Sequence, residues 1–352
     1  MIVRNASIDT RNTAAAAVAT GLEAKMQLST VKLHHQNFSG SGVIFATGMD
    51  RTFVLTAKHN LTVWARGEGR DEEALRTGAW GSSRGDLRNL HRDFKTNITL
   101  TYGNGREASI SEIVYFGADW SYDVCCLVVR DGGLRSFAND RAWIFEPFAT
   151  QGDNFVYDYS YKNALQGIFN NLRDRNTSGD IQPSRKTSLN NNYYFFQAGY
   201  GKTAYNGNST NIANINQDSG GNFGFRVAEI DNSWAAAVDN DTTEGTVDTY
   251  TDAIALTAAH DNSSAPGDSG GPIFAMPKNQ TRSLHQISVY LVAVTTGYNY
   301  HRNQNDAIQS DARFRNNIVT DIRAAYNATT PVVWGTTGAP QDYTELWESF
   351  NL

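Results

Sequence analysis

Residues Ala265-Pro266-Gly267-Asp268-Ser269-Gly270-Gly271-Pro272-Ile273-Phe274 set a serine among glycines, with an acid before it and two apolar residues after the proline. Glycine opens backbone angles closed to other residues, so main-chain N–H groups beside the hydroxyl can converge on one small space. Acyl transfer needs such donors, because negative charge develops on the carbonyl oxygen in the transition state. On this chemistry Ser269 is a candidate nucleophile, and the N–H groups of Gly267 and Ser269 are a candidate oxyanion hole. A Gly-rich turn between strands is the commoner meaning of a lone Gly-x-Ser-x-Gly string. Six consecutive residues, Gly267 to Pro272, are more specific.

Those six residues resemble the nucleophile motif of the chymotrypsin-like (trypsin-fold) serine peptidases. A serine hydroxyl alone is a poor nucleophile, so the reading requires a base and a group that orients it. In that family they come in the chain order His, Asp, Ser. Upstream, Phe53-Val54-Leu55-Thr56-Ala57-Lys58-His59 is similar to the family's strand ending at its histidine. Tyr122-Asp123-Val124-Cys125-Cys126-Leu127-Val128-Val129 is similar to its acid opening an apolar strand. The resemblance implies that His59 takes the proton from Ser269 and that Asp123 holds the imidazole tautomer.

A second string, Leu256-Thr257-Ala258-Ala259-His260, matches the histidine motif more closely than the stretch at His59. It lies only nine positions before Ser269 and after the candidate acid, which breaks the motif order. The resemblance puts the strand and loop of the specificity pocket there, so His260 reads as a pocket or structural histidine. Asp119 competes with Asp123 but has no apolar strand directly after it.

The resemblance implies an all-β fold: two six-stranded antiparallel β-barrels with a C-terminal helix and surface insertions, the site lying between the barrels. Many short strands with Gly-rich turns independently favour sandwiches or barrels. The expected division is an arm at 1–24, a first barrel at 25–135 and an interbarrel connection at 136–190. A second barrel with its C-terminal helix follows at 191–327, then an extension at 328–352. Ala164 to Leu172 reads as a short helix within the connection. After Phe314, the residues Ile318, Val319, Ile322 and Tyr326 have helical spacing and match the expected C-terminal helix. The charged stretch Arg66 to Glu73 reads as a solvated loop around a short helix, its mixed signs arguing against a calcium loop. Trp334 and Trp347 imply that the extension packs somewhere.

With 352 residues, 40% of them hydrophobic, the chain is long enough for a substantial core. A net charge of −6 argues against a nucleic-acid partner. The two cysteines are neighbours, Cys125 and Cys126, and alternate side chains of a strand point to opposite faces, so a mutual bridge is disfavoured. Position 60 is Asn, where disulfide-bearing family members commonly have cysteine. No apolar signal segment and no run of about 18 apolar residues occurs, which excludes a spanning helix on this reading and fits a cytoplasmic protein, or a secreted one whose leader is omitted. No metal and no organic cofactor is implied. Ile2-Val3 offers one activation route, in which a newly exposed N-terminus pairs with Asp268; an activating partner is the other.

The resemblance places Ser263, six positions before Ser269, at the base of the specificity pocket. A neutral hydroxyl there favours an apolar or aromatic residue before the scissile bond (P1). Asp261 would instead favour a basic residue, and His260 an acidic one. Thr296 and Gly297 should form the opposite wall and pair with substrate backbone. The expected activity is a serine endopeptidase acting on protein or peptide. Its rivals are a catalytically silent binding protein of the same fold and a Ser-dependent esterase.

Overall fold

The structure is a computed structural model that describes residues 26–36, 38–47, 50–70, 85–115, 123–132, 159–201, 223–239, 248–256, 267–278, 290–302, 308–318 and 332–334. The first sheet contains β1 (Thr30–His35), β2 (Phe38–Thr47), β3 (Thr52–Thr56), β4 (Thr99–Thr101), β5 (Glu107–Tyr115) and β6 (Cys125–Val129). Their order is β5-β4-β1-β2-β3-β6, and β6 pairs back onto β5, which closes six strands into a barrel. All of these pairings are antiparallel. β3 and β6 are buried at every position, as their continuous apolar sequences require.

Two helices close this barrel. In α1 (His59–Gly67), Leu61, Trp64 and Ala65 are buried at i, i+3 and i+4 and enter the core. From α2 (Gly85–Asn97), Leu90 and Phe94 join them. Trp64 meets Phe94 edge-on, 5.4 Å between ring centroids at 84°. Phe38 of β2 meets the same ring at 6.4 Å. Of the stretch Arg66 to Glu73, expected as a solvated loop around a short helix, Arg66 and Gly67 end α1 and residues 66–70 are exposed. Residues 71–84 lie outside the described residues.

The second sheet holds β7 (Tyr193–Gly199), β8 (Gly224–Ala228), β9 (Ile230–Asp239), β10 (Asp248–Leu256), β11 (Pro272–Pro277), β12 (Tyr290–Arg302) and β13 (Ile308–Ile318). Their order is β8-β7-β11-β12-β13-β10-β9. The helix expected at 164–172 is present and longer, as α3 (Tyr159–Arg173). Its Leu165, Ile168, Phe169 and Leu172 share a helical stripe and pack on Phe195, Ile254, Ile273 and Val292 of the sheet. α4 (Pro183–Asn192), with proline in its first turn, leads into β7. Asp252, buried in β10 at φ 47°, receives Arg173 Nε and Nη2 at 2.9 and 2.8 Å and a further bond from Arg175. The paired guanidinium groups offset the desolvation of that carboxylate.

The expectation of a mostly β fold with a closed six-stranded barrel holds; the second sheet has seven strands, not six, and among the described residues no pairing joins its end strands β8 and β9. Ile318, expected in the C-terminal helix, is the last residue of β13 and pairs with Ala293 of β12. Val319, Ile322 and Tyr326 lie outside the described residues, as do the arm at 1–24 and Trp347. Trp334 falls in β14 (Val332–Trp334), which pairs with Tyr115, Val114 and Ile113 of β5 and so joins the first sheet.

Replacing Phe94 by Ala removes the ring that both Trp64 and Phe38 touch. A loss of about 3–5 kcal/mol in urea unfolding is expected.

Candidate active site

His59 is the first residue of α1, immediately after β3. No side chain of the preceding residue caps this helix, and its first turn holds no acid of its own. The N-terminal N–H groups of a helix have no partner within it. Asp123, fully buried, supplies one from β6's leading edge: its Oδ1 accepts the His59 main-chain N–H at 2.8 Å. Its Oδ2 accepts from His59 Nδ1 at 2.6 Å. An ionised carboxylate only accepts, so Nδ1 carries the proton and Nε2 presents its lone pair. The positive end of the helix dipole favours the same charge. This is the geometry of an imidazole oriented to act as a base. Asp119 lies outside the described residues.

The turn containing Ser269 depends on two glycines with positive φ, Gly267 at 102° and Gly270 at 84°. A β-carbon on Gly270 would collide with Ser41 O and Thr56 Oγ1. Both sheets hold this turn. From the first sheet, Ser41 N donates to Ser269 O at 2.8 Å, and Asn60 Nδ2 donates to the same oxygen at 3.0 Å. From the second, Thr295 O accepts from Gly270 N at 2.8 Å and Thr295 N donates to Gly271 O at 2.8 Å. Ser41 Oγ also donates to Gly267 O at 2.6 Å and accepts from Tyr200 N at 2.8 Å. Ser269 itself remains partly exposed, while Gly267, Asp268 and Gly270 are buried. Ser269 and His59 are thus brought to adjacent elements, with Asn60 as the side chain that spans them.

Asp268 is buried, and its Oδ1 accepts from Gly201 N at 2.9 Å. Any side chain at Gly199 or Gly201 would strike this carboxylate. The Gly199-Tyr200-Gly201 segment is shaped around the acid before the serine, a role that only the two glycines hint at in the sequence. Ile2 and Val3, the proposed partners of Asp268, lie outside the described residues.

Thr296 is buried, and Gly297 pairs with Arg315 of β13 across a bulge in β12. β11 pairs with β12 only as far as Val294, and its extension ends at the Thr295 bonds. Among the described residues, Thr296 and Gly297 therefore have no strand partner on the side of the Ser269 turn. His260, Asp261 and Ser263 lie outside the described residues. Cys125 and Cys126 are free thiols, both fully buried, and burial pushes their pKa values up. Cys125 belongs to the barrel core and Cys126 does not, in keeping with alternate faces of β6. Among the described residues no group of three His, Cys, Asp or Glu is placed to hold a metal ion, and no helix is long and apolar enough to cross a membrane.

No protein-family model and no curated protein sequence matches the chain. Solved structures similar to it are serine proteases. The inactive form of the Rv3671c protease from M. tuberculosis, as its serine-to-alanine mutant, is 18% identical over 90% of this chain and 95% of that one, with a TM-score of 0.41. Neuropsin, a serine protease expressed in the limbic system of mouse brain, is 11% identical over 83% of this chain and 90% of its own, with a TM-score of 0.36. These likenesses are loose, and the functional reading rests on the distances above.

Gly270→Ala tests the crowding of the turn. The strained φ alone is expected to cost about 1–3 kcal/mol, before the collisions with Ser41 and Thr56 are added. Urea unfolding of the variant gives the loss directly.

Proposed function

We propose that the chain is a serine endopeptidase that cleaves peptide bonds through an acyl-enzyme. The observation that carries this reading is the pair of bonds from the Asp123 carboxylate to His59, one to its main chain and one to Nδ1. They fix an imidazole, with Nε2 unprotonated, on the element that also grips the Ser269 turn. Substrate lies extended against the open side of β12 at Thr296 and Gly297 and adds a strand there. Ser269 Oγ attacks the scissile carbonyl carbon and gives its proton to His59 Nε2. The Gly267 and Ser269 N–H groups receive the charge on the carbonyl oxygen, and Asp123 stabilises the imidazolium. His59 then protonates the leaving amine, the C–N bond breaks, and water releases the acyl group by the same route. Ser263 at the pocket base, with His260 on its wall, favours an apolar or aromatic P1 residue. No metal or organic cofactor has a part in these steps.

Ser269→Ala should lower kcat by roughly 10⁶ with the fold unchanged. Asp123→Asn should lower it by about 10⁴, because the amide favours the wrong imidazole tautomer. A fluorophosphonate probe should label the wild type and leave Ser269→Ala untouched. A folded wild type that takes no label is a silent binding protein. Labelling with turnover of simple esters but not peptides marks an esterase. A positional peptide library then reads P1: a basic preference points to Asp261, an acidic one to His260.

The base works only when unprotonated. Below the imidazole ionisation kcat/KM should therefore fall about tenfold per pH unit. A pH–rate profile without that acid limb removes His59 from the mechanism.

A further inference from the structure

Asn60 follows His59 in α1 and is 1% exposed. Both hydrogens of its side-chain amide are engaged: Nδ2 donates to Thr56 Oγ1 at 2.9 Å and to Ser269 O at 3.0 Å. Thr56 Oγ1 passes its own hydrogen to Ser41 O at 2.6 Å, and Ser41 N donates to Ser269 O at 2.8 Å. The result is a closed ring of bonds through Asn60, Thr56, Ser41 and the Ser269 carbonyl. The amide packs where Gly40 has no side chain, since a β-carbon there would lie 2.9–3.0 Å from its atoms. No covalent tie does this work, because both cysteines are free thiols of β6.

We propose that Asn60 is a positioning residue that sets the distance from Ser269 to His59. This rests on the peptidase reading above. The argument is geometric. The helix that presents the imidazole and the turn that presents the hydroxyl belong to different sheets. The Asn60 amide is one side chain, adjacent to His59 in sequence, that bonds to the main chain of Ser269 itself, 209 positions away. A shift of about 1 Å between reacting groups can cost roughly 10²-fold in rate. Gly297 is paired with Arg315 of β13, and the Asn60 amide bonds to Thr56 and Ser269 and not to Thr296 or Gly297, so substrate affinity is set elsewhere. Losing the amide should therefore reduce kcat and leave KM alone.

The experiment compares peptide hydrolysis by wild type, Asn60→Ala and Asn60→Asp, each checked for folding by circular dichroism. Asn60→Ala is expected to lose roughly 10- to 100-fold in kcat with KM within about twofold. Asn60→Asp keeps the shape and carries the test if the alanine variant does not fold. When ionised it turns an acceptor toward the Ser269 carbonyl, so its loss should exceed that of alanine. When protonated it regains a donor, so its kcat relative to wild type should rise as the pH falls. A residue that served only the fold would not give that pH-dependent recovery in folded protein. Wild-type kcat in both folded variants, or an effect confined to KM, overturns the inference. A wild type that neither cleaves peptide nor takes the fluorophosphonate probe removes the peptidase reading, and the inference falls with it.

Discussion

The Ser269 carbonyl is the point at which the two sheets are fastened. It accepts from a strand of the first barrel and from Asn60, the second residue of α1, while the next N–H along the turn is given to Thr295 of the second sheet. Such a junction is possible only because Gly270 has no side chain where Ser41 and Thr56 already stand. The polar groups at this seam are buried, and a buried polar group without a partner is costly. Here Ser41, Thr56, Asn60 and Gly267 satisfy one another. These bonds hold the main chain of the Ser269 turn, and a connected buried network rigidifies what it holds.

Two buried carboxylates flank this seam, and each is met by main-chain N–H groups. Asp123 takes the first N–H of α1 and the imidazole together, so one acid both starts the helix and orients the ring. Asp268 takes the N–H of Gly201 in a pocket that only glycines can form. Backbone donors do not swing as long basic side chains do, which suits groups whose orientation must persist.

The three motif segments were legible from sequence because each carries a local constraint. The glycines of 267–271 announce an unusual turn, and an apolar run ending in a polar residue announces a strand delivering that residue to an edge. β3 and β6 followed from their apolar runs. The ring through Asn60 was not legible as a ring, since its members are neighbours in space and not in sequence. Asn60 stood out only as a polar residue at a position where the resembling family has cysteine. α2 was missed because its sequence, Gly-Asp-Leu-Arg-Asn-Leu-His-Arg-Asp-Phe-Lys-Thr-Asn, is largely polar, with Leu87, Leu90 and Phe94 its large apolar residues and the last two in the core. Ile318 was expected in a helix because its step of four to Ile322 suits a helical turn, but it is the last residue of β13.

The return of β14 to β5 bears on how the chain is assembled. β4 is only three residues long, so beyond Ser109 it leaves one edge of β5 uncovered, and β14 occupies that edge at Ile113 to Tyr115. An uncovered strand edge invites pairing with another chain. During synthesis the six barrel strands are complete once β6 has emerged, yet their cover arrives about two hundred residues later, after the whole second sheet. For that interval the nascent barrel is closed but not sealed. The last short strand acts as a stopper, set in place only when everything between the two ends has been made.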